Sequence, residues 1–175
     1  LWGSKQIRPA AVNQGSLGDC WVLASFAALA EWPDRLKKVI SNNAYSPEGI
    51  FKFNFWLKGK PVDIVVDDRL PYKPRQDLDG GWYVPGGLIN TKKSTNGAYW
   101  TPLIEKAAAK YYANYENIEG GNMAESLYML TGMPTKSFTN SKYNNDDLWK
   151  LIKDMDTANW VMTCSNNVAK HGLPS

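Results

Sequence analysis

From Cys20 to Trp32 nearly every position is apolar or alanine: Trp21, Val22, Leu23, Ala24, Phe26, Ala27, Ala28, Leu29. A helix without a polar face belongs in a core, so this stretch predicts a central buried helix. Asp19 is placed to cap its start, after a Gly-rich turn from Gln14 to Gly18. Upstream, Leu1 to Asn13 reads as extended or loop, with Pro9 as a breaker. Pro33-Asp34 ends the buried helix and opens a short amphipathic turn to about Ile40. The period then changes from helical to two. Phe51, Phe53, Phe55 and Leu57 share one side of a strand over Ile50 to Leu57. Val62 to Val66 forms its partner through Lys58-Gly59-Lys60, a hairpin signal. From Pro71 to Asn96 the period is lost among Gly, Pro and Asp, which predicts a long loop of the kind that carries function.

Helical patterning returns at Thr101-Pro102 and runs to about Ala113, with proline at a first-turn position. A Gly-Gly loop follows from Asn114 to Asn122. A helix from Met123 to Leu130 comes next, closed by Gly132, and then one from about Asp146 to Asp154 capped by Asn145. Trp160 to Cys164 reads as a buried strand, with Cys164 structural. The pattern is helix-rich α+β: a mainly helical unit with a central buried helix and a small antiparallel sheet. A boundary near Asp156 to Asn159 divides it into residues 1–157 and the start of a second, β-rich unit at 158–175.

Composition narrows the classes. A chain of 175 residues with 43% hydrophobic positions can fill one core. Eight Trp and nine Tyr suggest broad apolar contacts or a peptide-binding surface. A net charge of +3 is too weak an electrostatic footprint for nucleic acid. No apolar run reaches the roughly 20 residues of a membrane span, and no signal peptide is visible. The start at Leu1 instead of Met is read as that of a fragment. Two cysteines, Cys20 and Cys164, make no disulfide framework and fit a reducing, cytoplasmic setting.

The chemistry centres on QGSLGDCW, Gln14 to Trp21. Cys20 falls at the first helical position, where the partial positive charge of the helix end favours an anionic sulfur. Gly15 and Gly18 let backbone approach a ligand closely. The Gln14 amide and the Cys20 N–H together would make a two-donor oxyanion hole, the set that acyl transfer from a peptide bond requires. By residue type alone, a cysteine beside Trp and Leu also reads as a small core hydrophobe. The glutamine six residues back on a Gly-rich turn is what a core cysteine does not need.

QGSLGDCW resembles the active-site turn of the calpains, cysteine proteases of papain-like fold. VVDDRLP (Val65 to Pro71), YWTPLIEKAAAKYYANYENIEGG (Tyr99 to Gly121) and ESLYMLTG (Glu125 to Gly132) resemble successive calpain segments in the same order. The resemblance implies that Cys20 is the nucleophile and Gln14 the oxyanion-hole residue. It also implies that Gly120 and Gly121 let substrate backbone lie alongside; on residue type alone this Gly-Gly is a plain turn. It implies, too, a protein or peptide substrate.

Such a protease needs a histidine, and an Asn or Asp to orient it. Residue type offers His171, the single histidine. The family's histidine, however, follows a Gly-Leu pair within a Gly-His-Ala-Tyr segment, and Gly172-Leu173 matches that lead-in. His171 is therefore expected to be a loop residue, with the base beyond Ser175 in a second subdomain that acts as partner. Calpains use Ca²⁺ as a regulator. By resemblance one acidic ligand should stand three residues before Gln14, where the chain has Ala11. Another should stand before Tyr99-Trp100, where it has Ala98. No metal residue is assigned and no cofactor is required for the chemistry. Asp67 and Asp68 point to opposite faces of a strand and read as an end cap and a partner for Arg69. Asp77 and Asp79 resemble an oxygen-rich loop only weakly. The segment from Lys73 to Asn96 departs from the family in length and is expected to gate the cleft. The rival class is a non-catalytic calpain-like module that binds a peptide or protein; an acyltransferase of transglutaminase type is disfavoured by the segments around Val65 and Tyr99.

Overall fold

The computed structural model describes residues 1–4, 7–75, 84–92, 94 and 96–165. In chain order these hold α1 (Cys20–Ala30), α2 (Pro33–Val39), β1 (Ile50–Leu57), β2 (Lys60–Asp67), β3 (Tyr72–Arg75), β4 (Val84–Leu88), α3 (Trp100–Tyr111), α4 (Met123–Thr131) and α5 (Asn145–Thr157). The class is α+β. Among the described residues the strands form two antiparallel pairs, β1 with β2 and β3 with β4.

The apolar circumference of α1 is used on several sides at once. Trp21, Val22, Leu23, Phe26, Leu29 and Ala30 are all buried, and α2, α3 and α4 each pack against the helix. Ser25, also buried, turns its Oγ back to the Trp21 carbonyl at 3.0 Å, so the one polar side chain in this stretch is satisfied inside the helix. Period two governs β1: Phe51, Phe53 and Phe55 are fully buried while Lys52 and Asn54 face outward. Its register runs from Ile50 opposite Asp67 to Leu57 opposite Lys60. The pairing extends past the Val62–Val66 core of β2 because ladder bonds do not require apolar side chains. Trp100, Leu103, Ile104, Ala107 and Ala108 of α3 complete the core, with Met129 and Leu130 of α4.

The carboxylate of Asp67 takes a different partner from the one expected. Its charge meets Lys106 of α3, and the Arg69 backbone N–H donates to it at 2.9 Å. Lys106 Nζ also donates to the Arg69 carbonyl at 2.6 Å, so this lysine ties the end of β2 to α3. The Lys106 hydrogen bond, ahead of all other causes, holds the Asp67 carboxyl below the usual carboxylate range. Asp68 accepts from the Tyr45 hydroxyl at 2.6 Å. The two acids serve separate neighbours, as alternation along a strand requires.

Three expectations are corrected. Residues 71–96 are not uniformly loop: β3 and β4 pair within them, Tyr72 opposite Leu88 and Pro74 opposite Pro85. Two facing prolines donate nothing to a ladder, which is why no strand pattern shows there. Residues 160–164 form no strand, and Cys164 is exposed, not buried. An apolar run becomes a strand only beside a partner, and none lies next to it among the described residues. The last helix starts one residue earlier and ends three later than expected. Its cap is Asn144, whose Oδ1 accepts from the Asp147 N–H at 2.8 Å.

Asn122 caps α4 in the same way, accepting from the Ala124 N–H at 2.8 Å. Asn122→Ala should lower stability by about 1 kcal/mol. Urea denaturation would show this as a lower midpoint at unchanged slope; an unchanged midpoint would mean the cap contributes nothing.

Candidate active site

Cys20 opens α1 and is exposed, while Asp19 before it and Trp21 after it are buried. The sulfur therefore sits at the surface end of a core helix. Asp19 supplies the first turn with its carbonyl, which accepts from the N–H groups of Val22 at 2.9 Å and Leu23 at 3.1 Å. As the first helical residue Cys20 has no intrahelical acceptor for its own N–H, and among the described residues no other acceptor takes it. Gln14 is exposed on the same turn. Its Nε2 donates to the Leu17 carbonyl at 2.8 Å, which uses one of its two amide protons.

Gly120 and Gly121 lie against this turn. The Gly120 N–H donates to the Gly18 carbonyl at 2.9 Å. The indole of Trp21 donates to the Ile118 carbonyl at 2.8 Å and packs edge-on against Tyr112, ring centroids 5.6 Å apart. A side chain on Gly121 would place its Cβ 2.3 Å from that indole, so glycine here follows from close approach and not from turn propensity. A Cβ on Gly120 would meet nothing within 4 Å. The structure thus brings the cysteine turn and the Gly-Gly loop together through Trp21.

Asp19 holds the N-cap position, but its side chain does not cap. It is fully buried and turned inward to Glu105 of α3. Both Glu105 oxygens lie 3.0 Å from the Thr91 N–H. Burial, the largest cause for each, pushes both carboxyls above their ordinary values, Glu105 to about 8. Residues 89–92 also clasp the cysteine turn. Ser16 N and Oγ both donate to the Ile89 carbonyl, at 3.1 and 2.8 Å, and Lys92 N donates to the Asn13 carbonyl at 2.8 Å. Sequence reading missed Glu105; an acid set among Leu103, Ile104, Ala107 and Ala108 was the available signal.

Ala11 and Ala98 are both buried in the apolar core. Methyl groups offer calcium no oxygen, and no cluster of three or more acidic, histidine or cysteine side chains suited to a metal occurs among the described residues. The alanines do not fit the ion. His171, Gly172, Leu173, Asp77 and Asp79 lie outside the described residues, as does the middle of the expected gate.

The sequence profile of the calpain family cysteine proteases matches residues 2–173. The chain belongs to the calpain family. It is 40% identical over 149 residues to calpain clp-4 of Caenorhabditis elegans, covering 83% of this chain and 19% of that calpain. To calpain-12 of Homo sapiens it is 37% identical over 124 residues, 69% of this chain and 16% of the relative. To calpain-5 of Caenorhabditis elegans it is 34% identical over 163 residues, 86% and 23% respectively. The chain therefore spans about a fifth of the length of these calpains. No helix among the described residues is long and apolar enough to cross a membrane.

Proposed function

We propose that this chain carries the nucleophile of a calpain-type cysteine endopeptidase acting on protein substrates. The observation that carries the reading is the exposed thiol of Cys20 at the start of a core helix, with Gln14 on the same turn. Residues 1–157 form the nucleophile unit of a papain-like core, and 158–175 begin the unit that supplies histidine and asparagine. In the reaction an imidazole of the second unit takes the Cys20 thiol proton, the sulfur attacks the scissile carbonyl carbon and the π electrons move to oxygen. The Cys20 N–H and the second Gln14 amide proton stabilise that oxyanion. An imidazolium from the second unit gives its proton to the leaving amine as the C–N bond breaks. The resulting thioester is hydrolysed by water, which the same imidazole deprotonates. Gly120, where a side chain would meet nothing, leaves room for substrate backbone beside the turn, while Gly121 yields its space to the Trp21 indole. The Ala11 and Ala98 side chains provide no carboxylate oxygen for calcium, and the steps above need none. A cytoplasmic setting suits a catalytic thiol kept reduced.

A peptide epoxide directed at thiol proteases tests the reading in the whole protein. Labelling mapped to Cys20, and not to the exposed Cys164, supports it; failure to label Cys20 overturns it in favour of a peptide-binding module. Gln14→Ala should lower kcat roughly 10²–10³-fold with KM little changed, the signature of a donor used mainly in the transition state. Loss appearing only in KM would remove Gln14 from the oxyanion hole.

A further inference from the structure

Two carboxyls that the reaction does not use are buried beneath the nucleophile turn. Asp19 and Glu105 expose 0% and 1% of their surface. Neither Asp19 oxygen has a well-formed hydrogen bond from an amide or hydroxyl donor. The neighbour left to it is the Glu105 carboxyl, and two carboxylates hydrogen-bond only with a proton between them. Leaving both ionised would place two negative charges without a cation in the core, at a cost the Thr91 contacts to Glu105 offset only in part. Among the described residues no lysine or arginine forms an ion pair with either one. The groups that face the pair are the Thr91 N–H, Asn90 and Tyr115. Tyr115 is itself kept neutral, its hydroxyl pushed up by burial first and by both acids.

We propose that Asp19 and Glu105 form a singly protonated latch that positions the nucleophile turn against α3 and residues 89–92. Asp19 is bonded to Cys20 in sequence, so a latched Asp19 fixes the first turn of α1. Glu105 reaches the opposite side of the turn through Thr91, whose neighbours Ile89 and Lys92 clasp Ser16 and Asn13. A second ionisation breaks the carboxyl–carboxyl bond and sets like charges against each other next to the thiol turn. Both are positioning residues. Only the latch's kinetic consequence rests on the protease reading.

The linkage has a definite sign. Burial first, and then Asp19, push the Glu105 carboxyl from its ordinary value of 4.5 up to about 8 in the fold. Folding therefore takes up a proton across that window. The latch contributes fully below the ordinary carboxylate range, weakens as pH rises, and ceases to change above about 8. E105Q keeps an amide donor for Asp19 and an acceptor for Thr91, yet cannot ionise.

The test is urea unfolding of the protein and its E105Q variant from pH 5 to 9, with amide exchange at Ser16 and Lys92. Relative to E105Q, the wild-type unfolding constant should rise up to about tenfold per pH unit between pH 5 and 8. Protection of Ser16 and Lys92 should fall with it, and should be low at every pH in E105A. Parallel pH profiles for wild type and E105Q overturn the shared proton, and full protection in E105A overturns the latch. Should E105Q fail to fold, difference infrared spectra of the wild type decide: a protonated-carboxyl carbonyl band persisting at pH 7 supports the pair, and its absence ends it. None of these readouts needs peptide cleavage, so their failure leaves the Cys20 reading intact, and an unlabelled Cys20 leaves the latch intact.

Discussion

Cys20→Ser should abolish covalent labelling by a peptide epoxide and lower peptide hydrolysis by the complete protease roughly 10⁴–10⁶-fold. The size follows from what the sulfur alone can do. Cys20 is an exposed thiol at the head of a buried helix, and no second side chain of comparable nucleophilicity sits on the turn. A serine hydroxyl is far harder to ionise and has lost the polarisable sulfur, so covalent catalysis ends while the oxyanion donors remain. Those donors set the residual rate, which makes the loss non-additive with Gln14→Ala. The substitution exchanges one exposed atom for another, so stability should change by less than about 0.5 kcal/mol. Equal folding with lost labelling separates a chemical role from a structural one. Hydrolysis unaffected by Cys20→Ser would end the nucleophile assignment.

Much of this geometry was legible along the chain, for identifiable reasons. Apolar periodicity reports burial directly, so α1 and the Phe51, Phe53, Phe55 face of β1 fall where the pattern puts them. Cap chemistry is local, so the cap of the last helix, expected at Asn145, falls on its neighbour Asn144. The signal failed where partners decide. Asp19 is an acid just before a helix, and capping is its ordinary use; in the fold its side chain is fully buried and caps nothing, which the local pattern does not reveal. β3 and β4 pair through backbone in a stretch whose prolines and glycines carry no period. Residues 160–164 have the composition of a strand without one to pair with among the described residues. For the site, the cysteine turn and the Gly-Gly loop were each visible as motifs. Their contact through Trp21 and the Gly18–Gly120 bond was not, since sequence spacing of about 100 residues encodes no distance.

Gly15→Ala should destabilise the protein by more than about 4 kcal/mol, at the exceptional end for a single methyl. An added Cβ would lie 1.5 Å from the Asn90 carbonyl oxygen and 2.6 Å from that of Ile89. Both obstacles are backbone, so no rotamer change relieves them. Backing away is also blocked. Residues 89–92 are held to the turn by Ser16 and Asn13, and to α3 by the two Glu105 contacts with Thr91. The turn itself is fixed at its far end, where Asp19 enters α1. The methyl must therefore either unfold this layer or force the turn off residues 89–92, and in the second case Gln14 and Cys20 lose their common frame. Ser16→Ala is the matched control: it removes only the hydroxyl bond to Ile89 and should cost about 1 kcal/mol. Urea midpoints of the two variants, with the epoxide labelling rate of whatever remains folded, measure the difference. A Gly15→Ala protein within about 1 kcal/mol of wild type would mean that the turn and residues 89–92 are free to part, and the site would have to be positioned by something else.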